Sequence, residues 1–170
     1  MRRSFPILSV LVIALVLAPA IAYAQKMVIL VRHAERADGG TPPPGMTGPA
    51  DPLLSAAGET RAQKLAAMLA ESGVTAIYTT EFRRTQNTAK PLAAKLGVTA
   101  QTVPADDVTG LVGKIKGAKP TDIVFIVGHS NTVPDVIKQL GGPGVKIGDN
   151  EYDNLFILVP ATGAMTRIKY

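Results

Sequence analysis

Only two histidines occur in the chain, His33 and His129, and each closes a short apolar run. Val28-Ile29-Leu30-Val31 leads into Arg32-His33-Ala34, and Asp122-Ile123-Val124-Phe125-Ile126-Val127 leads into Gly128-His129-Ser130-Asn131. An imidazole can serve as base, acid or nucleophile near neutral pH, and an arginine beside it adds a fixed cation with a planar fork of donors. Apolar runs this short fit strands buried on both faces, as in a parallel sheet. In open α/β sheets ligands collect beyond the carboxyl ends of the strands. A third segment, Thr79-Thr80-Glu81-Phe82-Arg83-Arg84-Thr85-Gln86-Asn87-Thr88-Ala89, follows another β-rich run and opens a helix. Backbone N–H groups at a helix amino terminus favour anions, and an arginine in that first turn matches phosphate oxygens. Arg83 or Arg84 alone fits a solvated surface residue. Together with Arg32-His33 and His129 at one sheet edge, the segment points to an anion pocket.

The elements that must position these residues alternate along the chain. After the strand ending at Val31, residues 35–52 hold five prolines and four glycines, a long irregular loop that fits either a substrate-facing lid or a plain insertion. Ser55 caps a helix over residues 56–72, with Leu65, Met68 and Leu69 beside Ala62 and Ala66 on its apolar stripe, and Gly73 ends it. Residues 74–79 read as a strand, 83–96 as a helix stopped by Gly97, and 98–103 as a third strand. Asp106 or Asp107 caps a short helix reaching Ile115, weakened by Gly110 and Gly113. The strand over 122–127 is followed by a helix over 133–140, with Pro134 in its first turn. Gly141-Gly142-Pro143-Gly144 breaks the chain, and strands over 154–159 and 164–169 close it as a hairpin across Ala161-Thr162-Gly163. Strands alternating with helices predict a single-domain, three-layer α/β/α fold, with a mostly parallel central sheet and a C-terminal hairpin.

Composition bounds the function. The chain has 170 residues, 46% apolar and 18% charged, enough for one domain with a sizeable core. Met1-Arg2-Arg3, the apolar run over residues 7–18 and Ala22-Tyr23-Ala24 form a signal-peptide pattern, so residues 1–24 are expected to be a leader cut after Ala24. The mature domain over residues 25–170 would then be periplasmic or secreted, with no stable membrane association after cleavage. Having no cysteine, it must be stabilised by packing alone. The net charge of +5 falls to +3 once Arg2 and Arg3 leave, which suits a small anionic substrate. No basic run interleaved with aromatics supports nucleic-acid binding, and no metal-ligand spacing is present.

These residues resemble the histidine phosphatase superfamily, the phosphoglycerate mutase-like clan. Val31-Arg32-His33-Ala34 matches the family's strand ending in arginine-histidine. Asp51-Pro52-Leu53-Leu54-Ser55-Ala56-Ala57-Gly58 matches its acid-x-x-Leu-Ser/Thr-x-x-Gly motif. Thr80 to Ala89 matches the arginine-bearing third motif, with Arg84 in the arginine's place, and Gly128-His129-Ser130-Asn131 matches the last. The four stand in family order and span almost all of the mature chain. The resemblance implies a phosphoglycerate mutase-like fold and a nucleophilic His33 that becomes a transient phosphohistidine. It also implies that Arg32 and Arg84 clamp the phosphoryl oxygens, that His129 adds a donor, and that Ser130 and Asn131 assist binding. No cofactor or metal is implied.

Larger family members also carry a carboxylic acid that protonates the leaving group. Asp106 and Asp107 fall in the right region, and Glu81, Glu35, Asp38, Glu151 and Asp153 are further candidates. Glu151 or Asp153 would reach the site if the strand over 154–159 is antiparallel. The reading is an exported, metal-independent phosphatase acting on a small phosphorylated substrate or a phosphoprotein. Two alternatives stand beside it. A non-catalytic phospho-ligand binding protein has no need of a nucleophile. A phosphomutase fits a short, exported chain less well.

Overall fold

Among the described residues, six strands and four helices follow the expected alternation. They are β1 Met27–Arg32, α1 Ala56–Met68, β2 Val74–Thr79, α2 Arg83–Leu96, β3 Ala100–Thr102, α3 Val108–Gly117, β4 Ile123–Gly128, α4 Thr132–Gln139, β5 Asn154–Val159 and β6 Ala164–Lys169. The computed structural model describes residues 27–39 and 51–170. The leader expected over residues 1–24, its cut after Ala24, and the part of the loop over 40–50 lie outside the described residues.

The strands form one sheet in the order β3-β2-β4-β1-β5-β6. β1 with β4, β4 with β2 and β2 with β3 are parallel, while β5 runs antiparallel to β1 and β6 antiparallel to β5. β1 is central, so both its faces are covered and its side chains split by parity. Val28 and Leu30 pack with Val112 and Ile115 of α3 and Val133, Val136 and Ile137 of α4. Ile29 and Val31 pack with Leu65 of α1 and Ala89 and Leu92 of α2. Each such fully buried aliphatic side chain contributes roughly 1.5–3 kcal/mol, and the two clusters fix the sheet between two helical layers.

Two elements are shorter than expected, and other boundaries shift by one or two residues. α1 stops at Met68 rather than running to residue 72. Ala70 and Ser72 N–H bond back only three residues, and the Ser72 hydroxyl donates to the Leu69 carbonyl at 2.6 Å, competing with further helix. Gly73, with φ +70°, therefore turns the chain into β2 instead of capping α1. β3 has three paired residues. Val98 N–H folds back to Ala93 O, the Val103 N–H bonds Thr79 O, and Pro104 then has no N–H with which to continue.

The sheet positions three chain segments at one edge. β1 and β4 pair so that Arg32 lies opposite Gly128, and β2 pairs with β4 so that Thr79 lies opposite Val127. The His33 N–H donates to Gly128 O at 2.9 Å, carrying the ladder one residue past the strand. His33, His129 and Thr80 thus leave the sheet side by side. Because β5 is antiparallel, the residues before Asn154 arrive at this same edge.

The Asp51–Gly58 motif docks α1 onto the residues that follow His33. Ser55 Oγ accepts from Gly58 N, Ser55 N donates to Glu35 O at 2.9 Å, and Arg36 bridges Leu54. A Cβ on Gly58 would collide with the Glu35 carbonyl, so the glycine is what permits the close approach. Overpacking of this kind costs typically about 1–3 kcal/mol.

Candidate active site

A cavity of about 650 Å³ opens at the carboxyl edge of the parallel strands, lined by Arg32, His33, Arg84, His129, Ser130 and Asn131. All six residues expected to act together therefore share one site. Arg36, Phe82, Asp106, Asp149, Asn150 and Tyr152 complete most of its wall. Arg83 turns away: its side chain is 57% exposed and pairs with Asp51.

Each arginine is held from behind. Arg32 Nη1 donates to the carbonyls of Gly148 at 2.9 Å and Asp149 at 2.8 Å, with Glu151 O at 3.4 Å, and its guanidinium carbon lies 4.2 Å from the Tyr152 ring centre. Arg84 stacks on Phe82 with the corresponding distance 4.1 Å, and its Nη1 lies 3.8 Å from Asp51 Oδ1. Stacking on a ring suits the planar, weakly hydrated guanidinium and fixes its plane. Burial pushes both groups down from their ordinary value, yet arginine keeps its proton.

His33 Nδ1 lies 2.8 Å from the Ala34 carbonyl oxygen. A carbonyl only accepts, so this nitrogen carries the proton and Nε2 keeps its lone pair. The loop that makes this bond is braced, since the Ala34 N–H donates to Thr88 Oγ1 at 2.9 Å. His129 stands 5.4 Å away, ring centre to ring centre, and its Nε2 is 3.0 Å from Thr80 Oγ1. Thr80 Oγ1 is in turn 3.0 Å from Thr85 Oγ1, whose hydroxyl donates to Phe82 O at 2.8 Å. Burial is the first cause pushing both imidazoles down, to about 3 for His33 and about 4 for His129. Nearby Arg84 and Arg32 add to it in both cases, and His129 does so for His33. Two neutral imidazoles between two permanent cations make a site that receives an anion and offers it an unprotonated nitrogen.

The carboxylates sort by what already holds them. Glu35 forms a two-oxygen pair with Arg61, at 2.9 Å to Nε and 2.6 Å to Nη2, away from the cavity. Asp38 binds both Nε and Nη2 of Arg36. Asp107 is the N-cap of α3, accepting from Gly110 N, and Glu81 accepts the Ala105 N–H. β5 is antiparallel, but Glu151 and Asp153 turn to Lys169 instead of the cavity. Asp106 alone among the seven candidates lines the cavity. Among the described residues, no group of three or more histidine, aspartate or glutamate side chains could hold a metal ion.

Sequence reasoning singled out Glu151 and Asp153 in the segment before β5, on condition that the strand is antiparallel, but the residues there that line the cavity are Asp149, Asn150 and Tyr152. Nothing local tells which of these neighbours face the cavity. Thr80 and Phe82 lay inside a segment already singled out, but nothing local tells that one touches His129 and the other stacks on Arg84.

Residues 28–107 match the family model of the histidine phosphatase superfamily, branch 1. No curated protein matches the chain in sequence. Solved structures with the same fold include a mycobacterial glucosyl-3-phosphoglycerate phosphatase complexed with VO3. It is 17% identical, with 86% of this chain and 97% of that chain covered, at TM-score 0.62. A protein of Escherichia coli assigned as an alpha-ribazole-5'-P phosphatase is 14% identical, with coverage of 85% and 95% at TM-score 0.65. A third, from Agrobacterium tumefaciens, assigned as the phosphohistidine phosphatase SixA, is 19% identical, with coverage of 78% and 90% at TM-score 0.58. At these identities the likeness is one of fold.

The histidine shifts set a pH dependence of stability. Both folded-state values lie below the unfolded value of 6.5, so between them the unfolded chain binds more protons and stability rises with pH. The contribution is complete above about pH 6.5 and is lost progressively as pH falls from there to about 4 for His129 and about 3 for His33. Denaturant melts from pH 7 to pH 4 should show a loss on the order of several kcal/mol. In a His33→Gln, His129→Gln variant that slope should largely disappear.

Proposed function

This chain belongs to the histidine phosphatase superfamily, and from that premise we propose that it is an exported, metal-independent phosphatase that hydrolyses phosphomonoesters, or phosphohistidine, through His33. The observation that carries the reading is the tautomer of His33, with Nδ1 tied to the Ala34 carbonyl and Nε2 unprotonated in a cavity with two arginines. Arg32 and Arg84 hold the non-bridging oxygens, so positioning and charge stabilisation supply most of the catalysis. Nε2 attacks phosphorus, the bond to the leaving oxygen breaks, and phosphorus passes to the imidazole. Water then attacks the phosphohistidine, releasing inorganic phosphate and restoring His33. His129 donates to the oxygens whose charge grows in each transition state. Asp106, on the cavity wall, gives the leaving oxygen its proton and later takes one from the attacking water.

Rapid quenching with a labelled phosphomonoester should trap an acid-labile phosphoenzyme. His33→Ala should abolish both the trapped species and turnover, whereas His129→Ala should still bind inorganic phosphate but react about 10²–10³-fold more slowly. A wild-type rate in His33→Ala, or turnover that requires added divalent metal, overturns the covalent reading. A second substitution tests the acid. Asp106→Asn should slow alkyl phosphates by about 10²–10⁴ while p-nitrophenyl phosphate, whose leaving group needs little protonation, changes far less. Equal losses on both substrates would assign Asp106 a binding role instead. For export, amino-terminal sequencing of the protein recovered outside the cytoplasm should begin at Gln25, and an intact Met1 in the membrane fraction would mean an anchor.

A further inference from the structure

Arg32 is buried, at 7% exposure, and its carbonyl partners all come from the loop before β5. That loop has its own fastening. Glu151 Oε2 accepts the Gly148 N–H at 2.8 Å, a side chain closing a turn over the very residues whose carbonyls hold Arg32. The Glu151 N–H also donates to Gly148 O at 3.0 Å. The other carboxylate oxygen, Oε1, lies 3.2 Å from both Arg167 Nη2 and Lys169 Nζ on β6. Glu151 thus touches the outermost strand with one oxygen and the turn with the other, without reaching the cavity.

We propose that Glu151 is a positioning residue for the phosphate clamp, fixing the 148–151 turn so that its carbonyls hold Arg32 at the angle an anion requires. The inference rests on the phosphatase reading and deepens it. The exposed ion pairs to β6 are worth little in themselves, since water and salt screen them. What matters is the bond to the Gly148 backbone. That N–H is also the first cause holding the Glu151 carboxyl below the usual carboxylate range, ahead of Lys169 and Arg167. A turn with this bond broken keeps its covalent path but lets the carbonyls of Gly148 and Asp149 rotate away from Nη1. Arg32 would then sample other angles, and small misplacements of a clamping group cost rate and affinity far more than they cost stability.

Two near-isosteric substitutions separate the backbone bond from the charge. Glu151→Gln keeps a carbonyl oxygen at the same reach but loses the charge facing Arg167 and Lys169. Glu151→Asp keeps the charge and is one methylene too short for Gly148 N. With p-nitrophenyl phosphate as substrate, Glu151→Gln should stay within about threefold of wild type. Glu151→Asp should raise KM and the inhibition constant of inorganic phosphate together, about tenfold, with kcat changed less and the melting midpoint nearly unmoved. In an Arg32→Lys background the same Asp substitution should cost little more, because residues acting through one another are not additive. Full activity in Glu151→Asp, or an equal loss in both backgrounds, overturns the proposal. So does a Gln variant as impaired as the Asp one, since charge would then be the agent. Absence of phosphatase activity in the wild type would instead remove the reading on which it rests, and the two failures are distinct.

Discussion

A guanidinium taken out of water at the end of a central strand is the constraint around which the site is built. Burying a charged group costs several kcal/mol unless hydrogen bonds replace its hydration. Arg32 meets most of that requirement with backbone carbonyls of Gly148, Asp149 and Glu151 around Nη1 and the face of Tyr152, while its buried Nε has no partner among the described residues. None of these is near Arg32 in sequence. They reach it because β5 runs antiparallel to β1, so that Val31 pairs with Leu155 and the residues preceding Asn154 arrive beside Arg32. The direction of one strand thus makes a buried arginine tolerable, and the same geometry walls the cavity.

The electrostatics of the site follow from the same burial. Arg32 and Arg84 would bind an anion wherever they were placed, but set close to the buried His33 and His129 they also add to burial in disfavouring imidazolium. One arrangement therefore serves two ends: it draws in a negatively charged group and keeps the nitrogen that meets it unprotonated. The Ala34 carbonyl refines this by fixing where the remaining proton of His33 sits. Thr80 faces Nε2 of His129, the other ring nitrogen, through a hydroxyl that can donate or accept, so the two imidazoles, alike in type and burial, differ in how firmly their tautomers are set.

Much of this was legible in the sequence because it depends on local pattern. Apolar runs of strand length ending in Arg32-His33 and Gly128-His129 fix both the parallel core and the edge where chemistry sits, and parallel pairing in register then brings the ends together. The helices were equally readable, since Ser55, Gly97 and Asp107 act at the boundaries their types suggest. What escaped depends on partners distant in the chain. The Asp51 motif reads as a helix start, but its acid in fact accepts from Arg83 N at 2.9 Å and lies beside Arg84, tying α2 to the residues leading into α1. Tyr152 looks like any aromatic before a strand until the strand's direction is known. The end of α1 was missed for a smaller reason: the Ser72 hydroxyl offers Leu69 O a partner that periodicity cannot register.

The allocation of carboxylates shows how the fold limits the chemistry. Seven acidic side chains lie in segments that could have approached His33, and six are committed elsewhere: to Arg61, Arg36, Lys169, a helix cap or a backbone N–H. An anion site gains from this, because an unpaired carboxylate facing the two arginines would compete with phosphate for them. In the proposed mechanism a leaving group still needs a proton from an acid at the wall; besides Asp149, which lies beside Arg32, one other carboxylate stands there, set apart from the clamp. Asp106 occupies such a place, on the stretch between β3 and the cap of α3. Opposite the apolar core, the cavity beyond the clamp is walled by Arg36, Asp106, Asn150 and Asn131 and carries no aliphatic patch. Such a wall gains most from a leaving group with hydroxyl or charged substituents, since its polar groups would otherwise be desolvated without partners. That weighs toward polar phosphate esters over hydrophobic ones.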